Sequence, residues 1–246
     1  MDKKERTIIY GKNPIRSALG AKHIQTLYVS RRLLNDPLVA LARSSQIDIQ
    51  PVDDRELDHL TDSGVHQGFA AVVKPYGTFS LDELIRQAQK PYPLILLLDG
   101  IEDPHNLGAI LRSADAFGVD GVVLKSHDEV QLNGTVAKVS TGAIDYVKVA
   151  VVSNLSQAME KLKAQGYWIV SSDGSAQQSY DEVDYACPIG LVVGSEGFGI
   201  SPLLLKRSDF VVKIPMFGHV NSLNASVATA IFLSEIALKR TKHNTK

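Results

Sequence analysis

The feature that most constrains the fold of this chain is the regular alternation, after Pro93, of short apolar runs with segments of helical periodicity. Continuously apolar runs of this length are typical of strands buried on both faces of a parallel sheet. We therefore predict an α/β fold with a parallel sheet for residues 93–246. The predicted strands are Leu94–Leu98, Gly121–Leu124, Val147–Val152, Tyr167–Ser171, Ile189–Val193 and Phe210–Ile214. The predicted helices are Leu107–Phe117, Leu155–Gln165, Pro202–Lys206 and Leu223–Lys239.

Residues 1–75 carry a separate and smaller α/β pattern. Prolines and glycines gather between residues 76 and 92 around one short amphipathic segment, which indicates a linker. We therefore predict an N-terminal domain (1–75), a linker (76–92) and a C-terminal domain (93–246). The strands predicted for the N-terminal domain are Thr26–Val29, Ile47–Val52 and Phe69–Val73, and its helices are a short one ending at Leu19 and Pro37–Arg43.

Composition excludes several classes of protein. The longest apolar runs are far too short to cross a bilayer, and the charged first residues lack the apolar stretch of a secretory signal. The single cysteine, Cys187, has no partner for an internal disulfide, which fits a reducing compartment, and we interpret it as a small buried thiol without a catalytic role. We expect a cytoplasmic protein with no membrane anchor.

Charge is distributed unevenly along the first quarter of the chain. Residues 1–32 hold eight basic and two acidic side chains, whereas residues 33–62 hold two basic and seven acidic ones. One interpretation is a solvated surface with local ion pairs. The other is a basic face that follows the phosphates of a nucleic acid.

Three predicted strands of the C-terminal domain run into loops rich in Gly, Asn, Ser and acidic residues: Asp99–Gly108, Gly194–Pro202 and Pro215–Ser226. Ligands of parallel α/β sheets collect at the carboxyl ends of strands, so these loops form the candidate site. The helix after the first loop carries Arg112 opposite its apolar stripe, where the side chain is free to meet a ligand. Taken singly, Arg112 is also typical of a solvated surface, and Asn106 of a helix N-cap.

The glycines of the second loop permit the close backbone approach that a nucleotide-like ligand requires. The loop lacks the lysine of a phosphate-binding loop and the G-x-S-x-G spacing of serine hydrolases. His105 and His219 each lack a second histidine or a cysteine at ligand spacing, so we expect no metal.

Together the segments DPHNLGAILRSA, LVVGSEGFGIS and KIPMFGHVNSLNASVATAI resemble the three signature motifs of the SpoU-type RNA 2′-O-ribose methyltransferases of the SPOUT superfamily. Any one motif is weak, but three in order at the ends of successive strands are specific. The segments IIYGKNPIRSAL, LYVS and HQGFAAVV resemble the small ribosomal-protein-like substrate domain of the subgroup that methylates guanosine in large-subunit ribosomal RNA.

The resemblance implies S-adenosylmethionine as cofactor, a trefoil knot in the C-terminal domain, a homodimer and an RNA substrate. It carries over the catalytic residues Asn106, Arg112, Glu196, Ser222 and Asn224. It also implies cofactor contacts at Thr141, Gly142, Gly194, Gly197, Ile214 and Leu223. The RNA-binding candidates are Lys12, Asn13, Arg16, Arg31 and Arg32. Because a guanidinium is a poor proton acceptor, we assign Arg112 to the adjacent phosphate and to developing alkoxide charge.

Three alternatives to this interpretation stay open. The first is a methyltransferase of transfer RNA, although relatives of that kind usually lack the N-terminal domain. The second is a non-catalytic RNA-binding or ribosome-assembly factor that retained the fold. The third is a nucleotide-binding hydrolase or dehydrogenase, which needs G-x-G-x-x-G after the first strand, and Asp99–Glu102 does not provide it.

Overall fold

The computed structural model describes residues 7–243. The chain divides into two compact units, one built from residues up to Gly77 together with Leu132–Tyr146, and one from Thr78–Gln131 and Val147 onward. The elements are, in chain order, β1 (Thr7–Tyr10), α1 (Lys12–Gly20), β2 (Ile24–Ser30), α2 (Pro37–Ser44), β3 (Asp48–Val52), α3 (Asp54–Leu60), β4 (Phe69–Val73), α4 (Leu81–Gln87), β5 (Leu94–Asp99), α5 (Pro104–Ala116), β6 (Gly121–Lys125), α6 (Gly134–Val139), β7 (Val149–Val152), α7 (Leu155–Ala164), β8 (Trp168–Ser172), β9 (Gln178–Ser179), β10 (Ile189–Gly194), α8 (Pro202–Arg207), β11 (Phe210–Lys213) and α9 (Ala225–His243).

The first unit is a four-stranded mixed sheet in the order β1-β4-β2-β3. β2 and β3 are parallel, whereas β4 is antiparallel to both β1 and β2. Every residue of β4 is buried, because this strand lies between two neighbours and carries apolar side chains on both faces. Ile15 of α1 and Leu27 of β2 are fully buried and contribute to the core of this unit.

The helix α6, which sequence periodicity did not predict, belongs to this first unit. The Asn133 side chain caps it by accepting a hydrogen bond from the Val136 backbone. Val136 is buried, and α6 contacts β1. Lys138 Nζ donates to the Tyr10 hydroxyl at 3.0 Å and lies 4.5 Å from the centre of that ring. The unit is therefore assembled from two separate stretches of the chain.

The turn that follows α6 completes the first unit. Gly142 adopts a positive φ of 96°, and a Cβ placed there lies 2.3 Å from the Cβ of Ser17 in α1. Its carbonyl oxygen accepts a hydrogen bond from Ser17 Oγ at 2.9 Å. Asp145 pairs with His23 Nδ1 at 3.2 Å, and burial raises the pKa of that carboxyl. Only glycine fits the close approach to α1 at position 142.

The second unit is a seven-stranded sheet in the order β7-β6-β5-β10-β8-β11-β9, and all of its strand pairs are parallel. All residues of β5, near the middle of the sheet, are buried. The predicted α/β fold with a parallel sheet in the C-terminal half is confirmed. The sheet order places β10 between β5 and β8, so the loops after these three strands leave the same edge.

The predicted linker differs from the structure. Residues 81–87 form α4, which begins with a capping box between Ser80 and Glu83. Leu81 and Leu84 lie in the core cluster of the second unit, since the apolar face of this short helix is wide enough to be buried there. The second unit accordingly begins at Thr78 rather than at residue 93, and it excludes Leu132–Tyr146. None of the helices within residues 7–243 has the length and apolar character needed to span a membrane.

Candidate active site

A cleft opens at the carboxyl ends of the strands in the second unit. Its walls come from the loop after β8, the loop after β10, the loop after β11 and the first turns of α9. Two of these loops were predicted; the loop after β8 was not, although Ser172, Asp173 and Gly174 carry the same mixture of residue types. The lining residues include Ser172–Gly174, Gly194–Glu196, Ile214, Met216, Asn221–Leu223, Ala225 and Ala228.

The loop after β10 folds back tightly on itself. The Gly199 backbone N–H donates to the Ser195 carbonyl oxygen at 2.9 Å, and Gly199 has a φ of +65°. A Cβ at Gly194 would lie 2.1 Å from the Gly199 carbonyl carbon and 2.5 Å from the Ile200 nitrogen. Backbone atoms cannot yield as a flexible side chain can, so this fold-back requires glycine at position 194. The fold-back places Glu196 at the rim of the cleft.

Three polar side chains meet beside this rim, one from the first turn of α5, one from the loop after β10 and one from the residue that precedes α9. Asn106 Nδ2 donates to Glu196 Oε1 at 2.9 Å. Asn224 Nδ2 donates to Asn106 Oδ1 at 2.8 Å and also to Glu196 Oε1. We call Asn106, Glu196 and Asn224 the amide–carboxylate cluster. Three of the five predicted catalytic residues are thus brought together, although 118 positions separate the outer two in the sequence.

The two asparagines of the cluster have different local roles. Asn224 Oδ1 accepts hydrogen bonds from the Ser226 and Val227 backbone, so it caps α9. The closing helix therefore begins at Ala225 rather than at Leu223. Asn106 is not an N-cap: Asp103 caps α5 by accepting from the His105 backbone, which leaves the Asn106 side chain available for the cluster.

Arg112 and Ser222, the other predicted catalytic residues, lie outside the cluster. Arg112 is exposed on α5, and its side chain makes no hydrogen bond or ion pair with any residue between 7 and 243 that the structure describes. Ser222 is exposed and lines the cleft. An arginine without an internal partner keeps all five of its donors for an external anion.

A buried acidic network underlies the first loop, and sequence reasoning missed it. Glu129 has a fully buried side chain and accepts backbone hydrogen bonds from Gly100 at 2.8 Å and Lys125 at 2.7 Å. Asp99 accepts from Lys125 Nζ at 3.0 Å and from the Ser201 backbone at 2.8 Å. Burial raises the pKa of Glu129 to about 7. The network joins the loops after β5, β6 and β10.

Comparison with known proteins identifies the family of this chain. The model of the SpoU rRNA methylase family matches residues 93–234, more than half of the chain, and a model described as RNA 2′-O ribose methyltransferase substrate binding matches residues 8–79. The chain belongs to the SpoU methylase family. The predicted family and enzyme class, an RNA methyltransferase, are confirmed.

Relatives of this SpoU methylase match it over nearly its full length. A TrmH family tRNA/rRNA methyltransferase of Staphylococcus saprophyticus is 43% identical over 246 residues, covering 96% of this chain and 97% of the relative. A crystal structure of an RNA 2′-O ribose methyltransferase has a TM-score of 0.78 at 27% identity and covers 98% of this chain and 91% of that one. The fold is also that of the AviRb methyltransferase of Streptomyces viridochromogenes, solved in complex with AdoMet (TM-score 0.83, 24% identity, coverage 95% and 90%).

The predicted cofactor residues fall into three groups. Gly194, Ile214 and Leu223 line the cleft. Gly197 lies in the loop after β10 but is not one of the lining residues. Thr141 and Gly142 belong to the first unit, where Gly142 packs against Ser17 of α1 and the Thr141 hydroxyl donates to the Val139 carbonyl at 3.3 Å. A glycine in a turn is explained here by packing, which the sequence motif alone does not distinguish from ligand contact.

Of the predicted RNA-binding residues, Asn13 and Arg16 are exposed, and their side chains have no hydrogen bond or ion pair within residues 7–243. The other three are paired with acidic residues from the following stretch, so local pairing accounts for part of the charge pattern. The hydrogen bond from Lys12 holds the pKa of Asp36 below its usual range. Lys3, Lys4 and Arg6 lie outside the described residues. The pairs are Lys12–Asp36 at 2.8 Å, Arg31–Asp53 at 3.2 Å and Arg32–Asp54.

The structure also shows the surroundings of His105 and Cys187, to which the sequence analysis gave no catalytic role. His105 Nδ1 pairs with Asp103 at 3.0 Å. Across residues 7–243, no group of three or more His, Cys, Asp or Glu side chains is arranged to hold a metal ion. Cys187 is half-buried, and burial raises the pKa of its thiol, which lowers its reactivity.

Proposed function

We propose that this SpoU methylase transfers a methyl group from S-adenosylmethionine to a ribose 2′-hydroxyl of large-subunit ribosomal RNA, at a guanosine. The observation that carries the proposal is the amide–carboxylate cluster beside the cleft, with Arg112 nearby in sequence on α5 and without an internal partner. Such a site can position a hydroxyl and compensate negative charge, which is most of what transfer from an activated donor requires.

The lining of the cleft fits S-adenosylmethionine. Ile214, Met216 and Leu223 offer apolar contact for an adenine ring, and the glycine-rich loop after β10 offers backbone donors and acceptors. Asp173 offers a carboxylate for ribose hydroxyls or for an ammonium group. When bound, the cofactor supplies an electrophilic methyl group on a sulfonium.

The chain's own residues hold the acceptor ribose. Glu196 Oε1 takes the hydrogen bonds from both asparagines, and Oε2 has none from any residue in the described range 7–243. Oε2 is therefore available to accept the hydrogen of the 2′-hydroxyl. Arg112 binds the phosphate next to that ribose and stabilises the charge that develops on the 2′-oxygen. Because a guanidinium carries only donors and no acceptor atom, Arg112 does not take the proton.

The N-terminal unit supports an RNA substrate with folded structure. Arg31 and Arg32 are about two-thirds or more exposed, as is Asp53, and exposed ion pairs of this kind contribute only about 0–1 kcal/mol. RNA phosphates can therefore replace the acidic partners at little cost. Arg16 needs no such exchange. The choice of ribosomal over transfer RNA rests on the resemblance of this unit to the guanosine-methylating subgroup, because the Staphylococcus relative is named for both RNAs.

A homodimer is part of the proposal. The lining of a groove between α5 and α9 includes the apolar residues Ala109, Val227, Ala230 and Ile231 beside serines, Tyr180 and Glu235, and Leu238 further along α9 is half exposed. The α9 positions recur at intervals of three, four and seven residues, which places them on one helix face. An exposed apolar stripe of this kind fits a second copy of the chain. Sedimentation equilibrium tests the homodimer, and a monomer at micromolar concentration contradicts it.

The first experiment measures transfer of labelled methyl groups from S-adenosylmethionine to ribosomal and transfer RNA from cells that lack this protein, followed by mapping of ribose methylation. We expect label at one guanosine of large-subunit RNA. Label only in transfer RNA overturns the substrate and keeps the reaction. Cofactor binding without label in free RNA or in ribosomal particles favours a non-catalytic assembly factor.

The role of Arg112 is tested by Arg112→Ala with Arg112→Lys as its matched control. We expect transfer by the alanine variant to fall at least 100-fold with cofactor affinity unchanged, and partial recovery in the lysine variant, which keeps the charge but not the fork of donors. Unchanged turnover in Arg112→Ala contradicts the assignment.

A further inference from the structure

Two phenylalanines on the loops of the cleft are almost completely exposed, and the mechanism above does not use them. Phe198 is 96% exposed and Phe217 is 97% exposed. Phe198 lies between the lining residues Glu196 and Gly199, and Phe217 follows the lining residue Met216. Both rings leave their apolar surface in water, so both are available to a ligand.

We propose that Phe198 and Phe217 stack on unpaired bases at the methylation target and so hold the nucleotide with its ribose in the cleft. This inference rests on the proposed function and names the form of its substrate: RNA that is single-stranded, or opened, at the target. Sequence-specific RNA sites are loops and bulges whose bases stack on aromatic side chains. Enzymes that act on a base of a duplex extrude that nucleotide and stack the base between aromatic or apolar side chains, which shows that such rings can hold an unpaired nucleotide in place.

The loops that carry the two rings are suited to adapting to a base. Gly197 and Gly199 flank Phe198, and Gly218 follows Phe217. A side chain at Gly197 or Gly218 would meet no atom within 4 Å, so there is open space around both loops. Stacking requires only a flat face of a base, and it is therefore compatible with a loop that adjusts on binding.

A second copy of this chain is the competing occupant of these rings. The exposed apolar side chains that fit a dimer lie on one face of α9, at Val227 and Leu238. Phe198 and Phe217 lie instead on two separate loops of the cleft, Phe198 two residues after Glu196 of the polar cluster and Phe217 directly after the lining residue Met216. A polar neighbourhood that binds ribose favours a nucleotide over a protein surface.

The chain contains a single tryptophan, so one substitution removes it and a tryptophan introduced elsewhere becomes the only such fluorophore. Trp168 is half exposed and packs against Phe210, with the centres of the two rings 5.8 Å apart. Trp168→Phe is therefore a conservative background. In that background Phe198→Trp and Phe217→Trp each place one fluorescent reporter. Phe117→Trp is the matched control, because Phe117 follows the last residue of α5, about 20 Å along the helix from its first turn.

The probes are oligoadenylate, oligouridylate and heparin, the last being a polyanion without bases. We expect the oligonucleotides to quench the reporters at 198 and 217, and heparin to leave them unchanged. The control at 117 stays silent with every probe. Because this readout needs no turnover, it separates failure of the inference from failure of the proposed reaction.

Steady-state kinetics on ribosomal RNA give the second readout. We expect Phe198→Ala and Phe217→Ala each to raise KM for RNA roughly tenfold, the effect of losing one stacked base, with cofactor affinity unchanged. Phe198→Trp retains the low KM, whereas Phe198→Leu, apolar but not aromatic, does not. Reporters that respond to protein concentration and not to oligonucleotide overturn the inference in favour of a second copy. Equal responses to heparin and oligoadenylate overturn it as well.

Discussion

Replacement of Gly194 by alanine tests how the loop after β10 builds the cleft. The new Cβ would lie 2.1–2.5 Å from three backbone atoms of Gly199 and Ile200, which must move by about 1 Å to restore contact distances. Overpacking of this kind costs about 1–3 kcal/mol, and the alternative, opening the loop, loses the hydrogen bond between Gly199 and Ser195, about 1 kcal/mol. Either response displaces Glu196.

We therefore expect Gly194→Ala to lower the free energy of unfolding by about 1–3 kcal/mol in urea titrations. Affinity for S-adenosylmethionine, measured by calorimetry, falls at least tenfold, the equivalent of about 1.4 kcal/mol. The control is Gly197→Ala in the same loop, where a Cβ meets no atom within 4 Å and φ is not positive. That variant stays within about 0.5 kcal/mol of the wild type.

Two results would refute this reasoning. The first is that Gly194→Ala unfolds at the same urea concentration as the wild type and binds the cofactor with the same affinity. In that case the loop accommodates the added methyl group without loss of stability, and its fold-back does not form the site. If Gly197→Ala is equally damaging, the loop is sensitive to any added side chain, and the specific contact with Gly199 is not the cause.

Three further perturbations follow from the structure. Burial raises the pKa of Glu129 from 4.5 to about 7, so the free energy of unfolding of the wild type should fall by up to about 3 kcal/mol as pH rises from about 4.5 to 7. Urea titrations of Glu129→Gln at the same pH values should show no such fall. An identical fall in the variant contradicts the assignment. Asn224→Ala should lose about 1–2 kcal/mol of stability and most methyl transfer. Asn224→Ser keeps a capping oxygen without setting a second carboxylate against Glu196, so it should lose transfer but little stability, and equal melting temperatures of the two variants would exclude the capping role. Gly142→Ala, with its Cβ against Ser17 and a positive φ, should lower the melting temperature by several degrees in calorimetry, and an unchanged value would show that the turn is free to shift.

Hydrophobic periodicity predicted the second unit well because its strands are long, apolar and regularly spaced. The segments it missed are short. Helix α6 has six residues, too few to show a period, and it is stabilised by its Asn133 cap and by contact with β1. Helix α4 was seen as amphipathic but assigned to a linker, since periodicity does not tell which surface covers an apolar face. Local sequence patterns also do not indicate whether one part of the chain passes through a loop formed by another, so the knot stays a prediction.

The candidate site was predictable where residue type alone indicates chemistry. The positions after strand ends identified the loops, and the family resemblance supplied the choice of Asn106, Glu196 and Asn224 within them. The structure brings these three side chains within hydrogen-bonding distance. Hydrogen bonds between residues far apart in the sequence were not predictable in the same way. The buried acid Glu129 lies in a stretch without periodicity, and its role depends on the backbone N–H groups of Gly100 and Lys125.

The assembly of the first unit from two stretches of chain has a consequence for synthesis on the ribosome. When residues 7–77 have emerged, β1 still lacks the helix α6 that contacts it, and His23 lacks its partner Asp145. Residues 78–131, which include β5 and β6 of the other unit, are made in between. The N-terminal unit therefore cannot be completed until Leu132–Tyr146 has been made, so its assembly ends only after synthesis of the second unit has begun.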